Sequence, residues 1–126
     1  MKKIPTISES EWYVMRLAWE LERPTFSQIK KELRHMNWSD NTISTFLVRL
    51  VRKGALQREG SPKEYRYIPL VSEAEYMRRE NQSFVDRLYR GSVVSLLRNF
   101  IRQESIREEE AEELIRLLKG EENEGK

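Results

Sequence analysis

Asn41, Thr42, Ser44, Thr45, Arg49 and Arg52 crowd into one short stretch, and their side chains are of the types that read base-pair edges or hold phosphates. An asparagine amide pairs with an adenine edge, a threonine meets a thymine methyl or a phosphate, and an arginine grips phosphate oxygens. If the stretch is helical, at about 100° per residue, then Ile43, Phe46, Leu47, Leu50 and Val51 gather on one side and must face a core. The opposite arc holds Asn41, Thr42, Thr45, Val48, Arg49 and Arg52, with Ser44 on its flank. Short side chains near the start of such a helix are what a major groove admits, so Asn41 is expected at an adenine edge and Thr42, Thr45 and Val48 at a thymine methyl or a phosphate. Arg49 and Arg52, further along, are expected on phosphates.

A second basic group follows. Residues 55–69 read ALQREGSPKEYRYIP, in which Gly60-Ser61-Pro62 signals a turn between two runs, the second an alternating aromatic one. A two-stranded hairpin there carries Lys63, Tyr65 and Arg66 to where a wing would meet the DNA backbone or minor groove. The arc alone would equally suit the solvated face of a protein-interaction module. Two basic elements presented to one ligand favour nucleic acid.

The elements that must position these groups are legible from caps and periodicity. Ser8 with Glu11 is a capping box ahead of Trp12, Val14, Met15, Ala18 and Trp19, predicting a first helix that ends near Leu21. Pro24 breaks the pattern, and Thr25 with Gln28 repeats the box ahead of Ile29, Leu33 and Met36, predicting a short second helix. Ser39 caps the third, with Asp40 in its first turn and Gly54 as its stop. Beyond the hairpin, Ser72 with Glu75 opens a long helix to about Tyr89, which Gly91 and Ser92 interrupt. An amphipathic helix then carries Val93, Val94, Leu96, Leu97, Phe100 and Ile101. Ser105 with Glu108 is expected to cap a last one bearing Ala111, Leu114, Ile115 and Leu118, which Gly120 ends. The tail EENEGK is charged and expected to fray.

The expected fold is therefore mainly α with a small β-hairpin, a winged helix-turn-helix over residues 1–71 followed by a three-helix dimerisation module over 72–126. Charge divides the same way: residues 1–71 hold 13 Lys and Arg against 8 Asp and Glu, whereas 72–126 hold 10 against 13. The basic half comes first.

Composition removes other classes of function. The 126 residues include no cysteine, which excludes disulfides, thiolate metal sites and cysteine nucleophiles and fits a reducing cytoplasm. No apolar run approaches the roughly 20 residues a membrane span needs, and the opening MKKIPTISESEW lacks a secretion signal's apolar core, so a soluble cytoplasmic protein is expected. Neither a serine with His and Asp partners, nor a glycine-rich phosphate loop, nor metal-ligand spacing is present, so no enzyme, cofactor or metal is expected. His35, the single histidine, reads as a surface or capping residue, the three tryptophans as core anchors, and the run EEEAEE (108–113) as a solvated face near a helix start.

Three segments carry a family likeness: SESEWYVMRLAW (8–19), WSDNTISTFLVRLVRKGAL (38–56) and EYRYIPLVSEAEY (64–76). With SFVDRLYRGSVVSLLRNFI (83–101) added, nearly the whole chain resembles the penicillinase and methicillin-resistance repressors, the BlaI/MecI family. The resemblance implies a homodimer held by the C-terminal helices on a palindromic double-stranded operator, one winged domain per half-site. The interface expected on that basis includes Leu88, Val93, Leu96, Leu97, Phe100, Ile101, Leu114 and Leu118. It also implies relief of repression by a protease linked to a membrane sensor of beta-lactams, cutting an Asn-Phe bond that corresponds here to Asn99-Phe100. Phe100 equally suits apolar packing with Leu96, Leu97 and Ile101, and both roles can hold together. Where the family pattern often has basic residues, this chain has Asn41 and Ser44, which shifts the burden of affinity toward Arg49, Arg52 and the wing. A copper-responsive branch of these repressors uses paired Cys-x-Cys motifs, which a cysteine-free chain lacks. The alternative on the same scaffold is a ligand-sensing regulator of the multidrug-response kind. The C-terminal module looks small for the pocket that reading needs.

Overall fold

A computed structural model describes residues 4–121 of the chain; the first three residues and most of the charged tail, from Glu122 on, lie outside the described residues. The chain divides into two compact units, Met1–Arg79 and Glu80–Lys126. The fold class is the expected one, mainly helical with one antiparallel hairpin.

In the first unit α1 (Glu9–Glu20) starts at the expected capping box: Ser8 Oγ accepts from Glu11 N at 3.2 Å, and Glu11 Oε1 accepts from Ser8 N at 3.0 Å. Its apolar face buries Val14, Met15, Leu17 and Ala18. α2 (Phe26–Glu32) starts at a second box, with Thr25 N donating to Gln28 Oε1 at 2.8 Å and Gln28 N to Thr25 Oγ1 at 3.3 Å. It stops earlier than the periodicity through Met36 suggests. Leu33 is already buried, a 3-10 turn spans Arg34–Met36, and Asn37 in the left-handed conformation (φ 59°) redirects the chain. Apolar spacing is shared by a 3-10 turn and an α-helix over so few residues, so it does not tell them apart. α3 (Asp40–Lys53) begins at Ser39, whose Oγ accepts from Thr42 N at 3.1 Å, and ends at Gly54 (φ 86°).

The hairpin pairs β1 (Leu56–Ser61) with β2 (Glu64–Pro69) in the register Leu56↔Pro69 through Ser61↔Glu64. Pro62 and Lys63 are therefore the two loop residues, and the turn lies further along than Gly60-Ser61-Pro62. Gly60 instead sits inside β1 at φ 98°, where an added Cβ would come within 2.7 Å of the Glu64 carbonyl oxygen. Gly60→Ala should therefore destabilise the winged unit by about 1–3 kcal/mol, through both the left-handed φ and the clash with backbone. Thermal unfolding checks this; an unchanged midpoint would mean that the strand shifts without cost. β2's free edge meets the α1–α2 connection, with Thr25 bridging Arg66 and Tyr67 N donating to Pro24 O at 3.0 Å.

The core of this unit gathers Val14, Met15, Ile29, Ile43, Leu47, Leu50, Leu56 and Val71, so all three helices and the hairpin contribute to one apolar interior. Its last part is the start of α4 (Glu73–Tyr89), opened by the Ser72–Glu75 box. Tyr76 is buried against Trp12 (5.4 Å between ring centroids) and Trp19 (5.7 Å), while Trp19 Nε1 donates to Val71 O at 2.9 Å. Arg79 donates to the carbonyls of Ile4 and Pro5. These contacts extend the unit to Arg79, eight residues past the boundary expected at 71.

The second unit continues α4 from Glu80 to Tyr89, turns at Arg90 and Gly91, and forms α5 (Val93–Arg102), capped by Ser92 Oγ accepting from Ser95 N at 3.0 Å. Ser105 does not cap the last helix. Its N–H closes α5 on Phe100 O at 3.0 Å while Glu104 takes φ 58°, a left-handed helix ending. α6 (Glu108–Leu118) starts instead at Arg107, whose N donates to Glu110 Oε1 at 2.9 Å. Three glutamates in its first turn suit the positive end of the helix dipole.

Candidate nucleic-acid interface

The side chains expected to read DNA are placed by α3. Its apolar face, with Ile43, Leu47 and Leu50 buried, anchors it in the core and turns Asn41, Thr45, Val48, Arg49 and Arg52 to the surface. Asn41, Thr45, Val48 and Arg52 follow one another at spacings of four, three and four, so they form a single stripe along the helix. Thr42 and Ser44 are half-buried on opposite flanks. Hydroxyl chemistry along the stripe is partly committed: Thr45 Oγ1 donates to Asn41 O at 2.8 Å, and Thr42 Oγ1 lies 3.0 Å from Ser39 Oγ. Arg49 and Arg52 have no ion-pair partner among the described residues and are exposed, as phosphate contacts require.

Both ends of α3 are fastened. At the start Asp40 pairs with Lys30 of α2 at 3.2 Å. At the end Lys53 Nζ donates to Glu11 Oε1 at 2.5 Å and to Thr6 O at 2.9 Å. Glu11 is only 2 % exposed. Burial by itself would raise its pKa, but the hydrogen bonds from Lys53 and Ser8 and the lysine's charge outweigh that and hold the carboxyl below its ordinary range.

The wing residues separate. Lys63 is exposed at the tip and, with Pro62, Tyr65 and Tyr67, lines one side of a groove of about 380 Å³ whose other side includes Ser27 and Ser44. Ser44 therefore faces the wing and not the stripe. Tyr65 is half-buried against the core, with the Arg58 guanidinium 4.5 Å above its ring. Arg66 is tied to the α1–α2 connection: its Nη1 donates to Arg23 O at 2.9 Å, and Glu64 lies 3.9 Å away. Its residue position alternates with Tyr65 along β2, which puts the two on opposite faces of the hairpin.

Further cations belong to this surface. Arg58 shares a hairpin face with Tyr65 and Tyr67, which the alternation of β1 would have revealed once the register was known. Lys30, Lys31 and Arg34 line a cleft of about 580 Å³ together with Trp38 and Ser39, beside the start of α3. The Lys-Lys pair at the end of α2 was the sequence signal for them, since the first helix of such a motif crosses the DNA backbone. His35 is exposed and takes no part in the cleft lining.

In the second unit no residue of α5 or α6 is buried. Of the residues expected to pair with a second copy, Leu88, Val93, Ile101 and Leu118 are exposed, Leu118 to 80 %, while Leu96, Leu97, Phe100 and Leu114 are half-buried. Asn99 and Phe100 lie inside α5, Asn99 exposed and its carbonyl accepting from Gln103 N at 3.0 Å. Among the described residues no group of three or more His, Asp or Glu could hold a metal ion, and no helix is long and apolar enough to cross a membrane.

Comparison with known proteins places this geometry. The family described as "Penicillinase repressor" matches residues 7–120. The penicillinase repressor of Bacillus licheniformis is 36% identical over 124 residues, covering 98% of this chain and 97% of that one. Two solution structures are similar at 39% identity, each covering 60% of this chain and 94% of the other. One is the DNA binding domain of the repressor BlaI, with a TM-score of 0.54. The other is the Bacillus licheniformis BlaI monomeric form in complex with the blaP half-operator, with a TM-score of 0.52.

Proposed function

The chain belongs to the penicillinase repressor family, and we propose that it represses transcription as a homodimer, each winged domain binding one half of a palindromic operator. It is a DNA-binding regulator of the BlaI/MecI kind and not an enzyme. The observation that carries the DNA reading is the exposed stripe of α3, held at both ends and flanked by the Lys63 tip of the wing. Asn41, Thr42 and Thr45 meet bases in the major groove; Arg49, Arg52 and Lys63 hold the backbone. Ser44 and Tyr65 shape the groove between helix and wing, and Arg66 braces the wing against Arg23. Because Asn41 and Ser44 are neutral, affinity rests more on the arginines and the wing than in relatives with basic residues there.

In the same proposal residues 1–71 read DNA, residues 72–79 complete that winged unit, and the rest of 72–126 dimerises. Apolar side chains left at the surface of the second unit, Leu88, Val93, Ile101 and Leu118 among them, support a face buried against a second copy together with Leu96, Leu97, Phe100 and Leu114. Repression ends when a protease linked to a membrane sensor of beta-lactams cuts Asn99-Phe100, inside that face.

The test is binding measured by fluorescence anisotropy over a range of salt. Arg49→Ala should weaken all duplexes alike and flatten the dependence of log affinity on log salt, by about 0.9 for every phosphate that a subunit no longer neutralises. A change in preferred bases would instead give Arg49 a reading role. Absence of any salt-dependent DNA binding by the full chain would overturn the proposal as a whole.

A further inference from the structure

We propose that Thr45 and Val48 recognise thymine through its 5-methyl group, so that each half-site carries two thymines, one under each side chain; this rests on the DNA-reading role of α3 argued above. Thymine is the base whose major-groove edge offers an apolar group, the methyl, beside a single acceptor. Thr45 has already spent its hydroxyl proton on Asn41 O at 2.8 Å, so it has no donor for the acceptors of guanine, adenine or thymine. What it presents without a partner is its methyl and an oxygen able only to accept. Val48 lies one turn on, at the centre of the stripe between Thr45 and Arg52, and is 45 % exposed. An isopropyl group there leaves any amino or carbonyl edge it covers unpaired, which is costly, whereas a methyl edge loses nothing. Residues three apart on a helix stand about 5–6 Å apart and base pairs stack at about 3.4 Å, so the two thymines are neighbours or next but one.

The probe is the full chain with duplexes selected by it from a random-sequence library, resynthesised with deoxyuridine in place of each thymidine in turn. Deoxyuridine removes the methyl and leaves every hydrogen-bonding group in place. At two positions per half-site the replacement should weaken binding about four-fold, the value of one buried methyl. Val48→Ala should abolish the sensitivity at one position and Thr45→Ser at the other. Thr45→Val, which keeps methyls and discards the hydroxyl, should keep the sensitivity that Thr45→Ser loses. All three replacements are conservative and sit at exposed positions, and unchanged melting temperatures confirm that the fold is intact. A chain that selects a sequence yet binds it equally with deoxyuridine throughout would overturn the inference and leave the DNA-reading role standing. So would loss of discrimination in Thr45→Val with retention in Thr45→Ser. A library that yields no enriched sequence would overturn both.

Discussion

A chain ending at Asn99 should bind an operator with two half-sites some 10² to 10⁴ times more weakly than the full chain, while binding a single half-site about equally well. The winged unit reaches only to Arg79, so the truncation removes none of its residues. What goes is Phe100, Ile101 and the whole of α6 with Leu114 and Leu118, the later half of the proposed dimer face. When that face fails, the second half-site must be found from solution instead of at the high effective concentration a linked partner supplies, and that factor is the usual size of the advantage. Sedimentation equilibrium supplies the companion reading: about twice the 15.2 kDa monomer mass for the full chain, the monomer mass for the truncated one. A truncated chain that stays dimeric and binds the full operator as tightly would sink the proposed switch. The bond itself is helical, with Asn99 O accepting from Gln103 N and Phe100 O from Ser105 N. A protease needs extended backbone, so the proposed cleavage requires a locally opened form of this unit.

Caps and apolar spacing made most of this fold legible. The Ser8–Glu11, Thr25–Gln28 and Ser72–Glu75 boxes and the Ser39 cap all appear in the structure as hydrogen bonds at the expected helix starts, because each satisfies backbone donors locally whatever the tertiary context. Ser105 failed for the same local reason: the end of α5 claims its N–H first, so the spacing to Glu108 is fortuitous. In the candidate site, the arc of α3 followed from one periodicity and was legible. Placement of Ser44, Tyr65 and Arg66 was not, because it depends on the register of β1 and β2, which two residues of turn decide, and on contacts with Ser27 and Arg23 far away in sequence. Arg58 escaped notice for that reason. The Lys53–Glu11 bond joins residues 42 positions apart, and no local pattern announces it.

That bond has the largest expected effect on stability, and the effect should be lopsided. Lys53→Met should destabilise the winged unit by about 3 kcal/mol at neutral pH, because it leaves the carboxylate of Glu11 buried without a countercharge, hydrogen-bonded only to Ser8. For a domain of this size that lowers the melting temperature by roughly 15 °C. Glu11→Gln should cost only about 1 kcal/mol: the amide oxygen still accepts from Ser8, and Lys53, 34 % exposed, retains Thr6 O and reaches water. The two variants should also part company with pH. Since Glu11's folded pKa lies below its unfolded value near 4.5, the pair's contribution is fully present above that value and fades as pH falls through the folded pKa. In Lys53→Met only the Ser8 hydrogen bonds still oppose burial, so the folded carboxyl takes up a proton more readily than it does in the parent. The deficit of Lys53→Met relative to the parent should therefore shrink on acidification, whereas Glu11→Gln should approach the parent as pH falls below 4.5 and through the folded pKa. Urea unfolding of the three proteins across pH 3–7 measures both trends. Equal losses for the two variants at pH 7, or a Lys53→Met deficit indifferent to pH, would mean that Glu11 is not held as a buried anion at the end of α3.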